Sequence, residues 1–423
     1  MNILSETVFE NTLEFARKLD REDPLNKFRE EFFIPRKDGS EMIYFCGNSL
    51  GLQPKNAPEA IEQEMRDWRE LGVKGHFTAK HPWFSYHHFL TQSTARLVGA
   101  KESEVVVMNS LTVNLQLMLT SFYRPEGKRY KIMVENGPFP SDHYAVESQL
   151  NLHGYDWEDG LIECKPREGE HILKTEDIIE TIERNANDLA VVVFGGVNYY
   201  SGQFFDHKAI VEAAHKAGAI CGFDEAHATG NLPLKLHDWD ADFAVWCSYK
   251  YLNSGPGGTS GVFVHERHGN NPEIPRLAGW WGNDEKTRFE MKPGFHPQPG
   301  AAGWQLSNAQ VLPMAIHKAS LEIFDQAGML ALREKSIKLT GYLEWLIQQI
   351  PNAEFEIITP ADPDQRGCQL SILTGANGKT LHEKLTEQGV VSDWREPNVI
   401  RVAPVPLYNT FEEVYRFVQI LVS

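Results

Sequence analysis

Asp224, His227, Tyr249 and Lys250 stand where two short apolar runs give out, and their types could do chemistry together. Residues 219–223 follow a helical pattern and stop abruptly at Asp224-Glu225-Ala226-His227, while residues 243–247 stop at Ser248-Tyr249-Lys250. Buried parallel strands read as such runs and deliver polar groups to their carboxyl edge, where open α/β sheets bind ligands. A lysine delivered into largely apolar surroundings has its charged form disfavoured, so it can serve as an amine nucleophile near neutral pH. A buried, ionised Asp224 needs a cationic partner. Taken alone, the pair reads more readily as a structural ion pair between Asp224 and Lys250, with His227 a satisfied core histidine.

The other reading gives Asp224 the ring nitrogen of pyridoxal phosphate and makes Lys250 its Schiff-base lysine, the two protein groups that this cofactor requires. A phosphate then needs donors. Asn109-Ser110-Leu111-Thr112 precedes an apolar helical stretch, whose amino terminus would offer the N–H groups of Leu111 and Thr112 and the Thr112 hydroxyl. Ordinary serine or threonine capping explains the same residues. Phe139-Pro140-Ser141-Asp142 follows a strand-like run at residues 130–135, and a flat aromatic face at a strand end suits a planar conjugated ring. Helix capping would explain Ser141 or Asp142 equally well.

The surrounding residues favour the cofactor. F-D-E-A-H-A-T-G-N-L-P-L-K-L-H-D-W-D-A-D-F-A-V-W-C-S-Y-K-Y-L-N-S-G-P-G-G, from Phe223, resembles kynureninase, a pyridoxal-phosphate hydrolase of the aspartate aminotransferase fold (fold type I). So do N-S-L-T-V-N-L-Q from Asn109, F-P-S-D from Phe139, G-W-W-G from Gly279, L-S-N from Leu306, R-G-C-Q-L from Arg366 and I-R-V-A-P-V-P-L-Y-N from Ile400. These segments span most of the chain in the family's order.

The resemblance implies hydrolysis of the Cβ–Cγ bond of L-kynurenine or its 3-hydroxy form to an anthranilate and L-alanine, in tryptophan degradation and NAD precursor synthesis. It implies catalytic Lys250 and Tyr249, and a cofactor shell of Leu111, Thr112, Phe139, Pro140, Ser141, Asp142, Asp224, His227, Tyr249, Lys250, Trp280 and Asn308. Phe139 would stack on the pyridine ring, and Trp280 would reach the phosphate from a neighbouring subunit, so a homodimer is expected. His76, Asn308 and Arg401 would bind the amino-acid substrate, with the planar Arg401 fork gripping its α-carboxylate; read alone, His76 is an ordinary surface loop histidine and Arg401 a structural salt bridge. Gly195 stands where the family often carries serine, so only its backbone could contact the cofactor. No metal is expected. The rival readings are a cysteine desulfurase or selenocysteine lyase of the same fold and a noncatalytic protein on it. The first needs a reactive cysteine on a mobile loop, whereas Cys368 opens an apolar run.

These residues need a scaffold, and the expected one is α/β: a mostly parallel, seven-stranded-type sheet with a smaller carboxyl-terminal α+β domain. Residues 46–311 would form the large domain, and 1–45 with 312–423 an amino-terminal arm plus the small domain. Helices are expected at 7–20, 58–71, 83–98 and 175–185, the last capped by Thr175, and strands at 104–108, 157–164, 189–194 and 368–373. Asn308 would begin a long helical region broken near residues 326–329. Residues 266–307 have no clear period, and a loop of that length is usually functional.

Composition limits the partners. Lys plus Arg total 41 against 58 Asp plus Glu, a net charge of −17, which argues against nonspecific binding to nucleic acid or anionic membrane. The five cysteines have no C-x-x-C pair and read as reduced thiols in the cytoplasm. No signal peptide or membrane-spanning run is predicted. Asp224-Glu225-Ala226-His227 spells a helicase word, but no phosphate loop of the G-x-x-x-x-G-K-[ST] type accompanies it. His265-Glu266-Arg267-His268 lacks the four-residue histidine spacing of a zinc helix.

Overall fold

The computed structural model of the chain describes residues 8–351 and 355–423. Seven strands make the large sheet: β1 (Val105–Val107), β2 (Lys131–Glu135), β3 (Leu161–Cys164), β4 (Leu189–Gly195), β5 (Ile220–Asp224), β6 (Phe243–Trp246) and β7 (Gly261–Val264). They lie in the order β1-β7-β6-β5-β4-β2-β3. All neighbours from β6 to β3 run parallel, and β7 is antiparallel to both β1 and β6. The sheet's inner strands are apolar and β-branched, such as L-A-V-V-V-F-G in β4, because helices cover both faces and leave no solvent side to alternate toward.

A second sheet lies toward the carboxyl terminus, with β8 (Phe355–Ile357), β9 (Leu370–Thr374), β10 (Asp393–Arg395) and β11 (Val399–Val402) in the antiparallel order β8-β9-β11-β10. Its core takes Phe15, Ile43 and Phe45 from the amino-terminal segment and Tyr342, Ile400 and Phe417 from the carboxyl-terminal one. Ile43 and Tyr44 pair in parallel with Val390 and Val391, so the beginning of the chain is stitched to its end.

Several expected elements shift. The first helix is Leu13–Glu22, begun by the Thr12 side chain accepting from Phe15 N, and Thr7 lies outside the described residues. Residues 157–160 form a helical turn, capped by Asp156, before β3 begins at Leu161, so the expected strand is half its length. Thr175 is the first residue of its helix and does not cap it; Lys174 occupies the cap position with no side-chain bond. The long helix after Asn308 begins at Val311 and ends at Ala327, and Gly328 at φ 77° separates it from the next, Met329–Gln348. The segment 266–307 carries short helical turns, among them Trp280–Gly282 and Gly300–Trp304.

Candidate active site

The carboxyl ends of β2, β4 and β5 place Glu135, Gly195 and Asp224 side by side, and the turn after β6 adds Tyr249 and Lys250. A cleft is lined by these five residues together with Leu111, Thr112, Phe139, Ser141, Asp142, Tyr199 and His227. The amino-terminal face of the sheet's strands plays no part in it, as expected for an open α/β sheet.

Lys250 does not form the ion pair with Asp224 that the sequence left open. Its Nζ lies 3.0 Å from His227 Nε2 and 5.7 Å from the centroid of the Phe139 ring. Burial lowers the His227 pKa, and the neighbouring Lys250 charge lowers it further, so the imidazole is neutral and its Nε2 can accept a hydrogen bond from the amine. Asp224 accepts the Ala226 backbone N–H at 2.7 Å. Burial pushes its pKa up, as it does for Asp142, which the negative charge of Asp224 raises further. Glu135, missed in the sequence, is 3% exposed and pushed by burial to about 7. Its two oxygens accept the Gly195 N–H at 3.2 and 3.1 Å. A Cβ on residue 195 would stand 2.8 Å from Glu135 Oε1, so the glycine at this position makes room for the glutamate.

The helix Leu111–Phe122 starts at the cleft. Its cap residue, Ser110, makes no side-chain bond to the first turn, which leaves those N–H groups open toward an anion. The helix Pro140–Leu152 is likewise begun by Phe139 without a side-chain cap; Ser141 and Asp142 lie inside its first turn, against the capping alternative. Gly51 packs behind the lysine. Its N–H donates to the Tyr249 carbonyl at 2.8 Å, and a Cβ there would meet the Lys250 carbonyl oxygen at 2.3 Å.

Pyridoxal phosphate fits this donor set. Asp142 Oδ1 and His227 Nδ1 are buried without a partner, and an orphaned buried polar atom costs on the order of 1–3 kcal/mol unless a ligand takes it. A pyridinium nitrogen would supply the cation that buried Asp224 lacks, the uncapped turn at Leu111 and Thr112 would take the phosphate, and Phe139, 40% exposed, offers the ring face.

Five expected residues are not among those lining this cleft. Arg401 is 1% exposed on β11, where its Nη2 meets Asp393 Oδ2 at 2.6 Å and its Nη1 donates to the Tyr199 carbonyl at 2.5 Å. Trp280 gives its indole N–H to the Arg288 carbonyl at 3.2 Å, and its ring is 41% exposed. His76 packs edge-on against Trp83, with centroids 5.5 Å apart, and Asn308 is exposed. Pro140, at the first helical position, is not among the lining residues. Tyr199, like Glu135, was not anticipated: its ring meets Phe139 edge-on at 5.4 Å. Glu135 could have been found by the rule that located Asp224, since it too ends an apolar strand.

Comparison with known proteins adds to this geometry. Residues 332–421 match the family model described as Kynureninase C-terminal domain. The chain is 54% identical over 421 residues to a kynureninase of Koribacter versatilis, covering 99% of each chain. It is 56% identical over 415 residues to one of Myxococcus xanthus, covering 98% of this chain and 97% of the relative. To one of the animal Nematostella vectensis it is 48% identical, covering 96% and 93%. Among solved structures, the cysteine desulfurase CsdA of Escherichia coli superposes with a TM-score of 0.76 at 17% identity, covering 98% of both chains. C-DES with glycine covalently linked to its PLP cofactor superposes with a TM-score of 0.76 at 16% identity, covering 90% of this chain and 96% of the other. Both share the fold.

Proposed function

The chain belongs to the kynureninase family of pyridoxal-phosphate hydrolases, and we propose that the cleft at the carboxyl edge of its large sheet holds both cofactor and substrate. It is an enzyme that cleaves the Cβ–Cγ bond of kynurenine to an anthranilate and L-alanine. The observation that supports this site is the convergence of Lys250, Asp224, Phe139 and the uncapped Leu111 turn on one cleft. The desulfurase alternative is not favoured: no cysteine lines the cleft, and burial pushes the Cys368 thiol up to about 12, so it carries no thiolate near neutral pH.

When bound, pyridoxal phosphate supplies an electron sink for charge developing at the substrate Cα. Leu111 and Thr112 would hold the phosphate, with Tyr249 from the same chain, while Ser141 and Asp142 would border the ring and Phe139 would offer it an aromatic face. Asp224 keeps the ring nitrogen protonated. Lys250 would hold the cofactor and, once free, its Nζ would take the substrate Cα proton, with the neutral His227 Nε2 beside it accepting a hydrogen bond from the amine. Burial raises the Tyr249 pKa, so its hydroxyl stays protonated and can donate a proton while water adds to the substrate γ-carbonyl. Arg401 takes the substrate α-carboxylate.

We further propose a cytoplasmic homodimer. Phe77, Phe84, Phe289 and Trp280 form an aromatic ladder with successive centroids 5.7, 5.5 and 5.4 Å apart. Phe77 and Phe289 are 61% and 51% exposed, and a patch of this kind fits burial against a second copy. Trp280 would exchange its Arg288 partner for the other subunit's phosphate there, and His76 and Asn308 would reach the aromatic end of the substrate. No helix of the described residues is long and apolar enough to cross a membrane.

The experiment is the visible spectrum of the purified protein, borohydride reduction with peptide mapping, and turnover of L-kynurenine. A pyridoxyl group on Lys250 is expected. An adduct on another lysine, or none, overturns the site.

A further inference from the structure

Arg401 is held by groups that no reading of the sequence assigned. It lies on β11 directly across from Asp393 on the edge strand β10, so the two side chains share one face of the small sheet. Asp393 meets Arg401 Nη2 at 2.6 Å and also Arg395 Nε at 3.1 Å, one carboxylate serving two guanidinium groups. The other end of the Arg401 fork is fixed by the Tyr199 carbonyl. The third nitrogen of the group, Arg401 Nε, is buried without a partner. Both guanidinium carbons lie 5.9 Å from the Tyr199 ring centroid, and that ring's contact with Phe139 continues to the cleft.

The charges decide what such a frame accepts. Two guanidinium groups against one carboxylate leave one positive charge in a chain whose net charge is −17, so the cluster is suited to a single further carboxylate. Bidentate capture requires the planar fork and the incoming carboxylate to be coplanar, and a free arginine side chain spends several rotatable bonds to reach that pose. Asp393 and the Tyr199 carbonyl hold that pose in advance.

Resting on the reading of Arg401 as the carboxylate-binding residue, we propose that Asp393 is the positioning residue for substrate recognition: it orients Arg401, shares its charge with Arg395, and limits the site to one carboxylate. Asp393 does not touch the substrate. Its effect is confined to ligands that carry the carboxylate.

The test uses the cofactor-loaded enzyme, titrated with L-alanine and with L-alaninamide, whose carboxylate is replaced by a neutral amide, while the bound cofactor's visible absorbance is followed. Asp393→Asn is expected to weaken L-alanine about tenfold and L-alaninamide less than about twofold, with KM for L-kynurenine raised in step and kcat nearly unchanged. Asp393→Glu should recover most of the loss. Asp393→Ser gives the same readout where the amide is not accommodated. Equal weakening of both ligands, no weakening, or tighter L-alanine binding overturns the proposal. Arg401→Gln separates the two levels: if the preference for L-alanine survives it, the carboxylate role of Arg401 falls. If the preference is lost in Arg401→Gln and kept in Asp393→Asn, only the role of Asp393 falls.

Discussion

Glu135 accepts the backbone N–H of Gly195 with both of its carboxylate oxygens, from one strand over in the large sheet. The contact places a third buried acid beside Asp142 and Asp224, and burial makes each of the three reluctant to ionise. A cofactor cation beside Asp224 would offset that reluctance there and not at Glu135, so the apoprotein should reveal it.

Glu135 has an ordinary value of 4.5 and a folded value of about 7. Below 4.5 the folded and unfolded chains both hold the proton, and the stabilising contribution is intact. As pH rises toward 7 the unfolded chain releases its proton while the folded chain keeps it, and stability is lost. Above 7 the loss is complete, at roughly 3 kcal/mol for this shift. Glu135→Gln keeps an acceptor oxygen and does not titrate. Denaturant unfolding of the apoproteins should therefore show the variant gaining on the parent between about pH 4.5 and 7 and levelling off above. Parallel stability curves would count against a buried acid there.

Gly51→Ala probes the floor beneath the lysine. Its Cβ would approach the Lys250 carbonyl at 2.3 Å and Asn253 Cα at 2.8 Å, and neither is the end of a flexible side chain. Backbone must move, which costs about 1–3 kcal/mol. The expected outcome is a lower Tm together with reduced cofactor content per chain. A variant with the parent's cofactor affinity would show that the turn from Tyr249 to Asn253 tolerates displacement.

The aromatic ladder predicts the assembly. Size measurements in solution should find a species near twice 48.0 kDa, and Phe289→Lys should shift it toward the monomer with weaker cofactor binding. A Phe289→Lys monomer with undiminished affinity would remove Trp280 from the phosphate site.

Substrate choice tests His76 and Asn308. Two polar groups that satisfy a ring hydroxyl are left unpaired by a substrate that lacks it, so a preference for 3-hydroxykynurenine over kynurenine is expected. His76→Trp combined with Asn308→Thr should erase that preference in kcat/KM. An unchanged ratio would mean that water satisfies both side chains and that this pair does not set the choice.

What the sequence made legible were the ends of apolar runs. Asp224 and Lys250 could be placed at one sheet edge because a change from apolar to polar marks a strand terminus regardless of what lies next to it. The contacts that fix those groups were not legible. Gly51 touches Lys250 across some two hundred residues, and nothing in G-N-S-L-G points to that partner. Arg401 could be read from its surrounding residues, but its pairing with Asp393 depends on the register of β10 against β11. The strand assigned to residues 157–164 lost its first half because Asp156 caps Glu158 N and starts a helical turn first, a local hydrogen bond that outweighed hydrophobic pattern.

Strand β7 gives the assembly of the cleft an order. β1 is joined to the large sheet through β7 alone among the described residues, and the turn leading to Leu111 is tied to it by Met108 N donating to the Ser260 carbonyl and Ser260 N to the Asn109 carbonyl. The backbone hydrogen bonds that tie β1 and the turn at Asn109 into the sheet therefore come from residues that follow Lys250 in the chain, while the helix from Leu111 packs on elements that precede it. On a ribosome, a nascent polypeptide whose lysine has emerged still lacks the backbone pairing that ties β1 and the Asn109 turn into the sheet. That pairing is completed once residues 260–264 have left the exit tunnel.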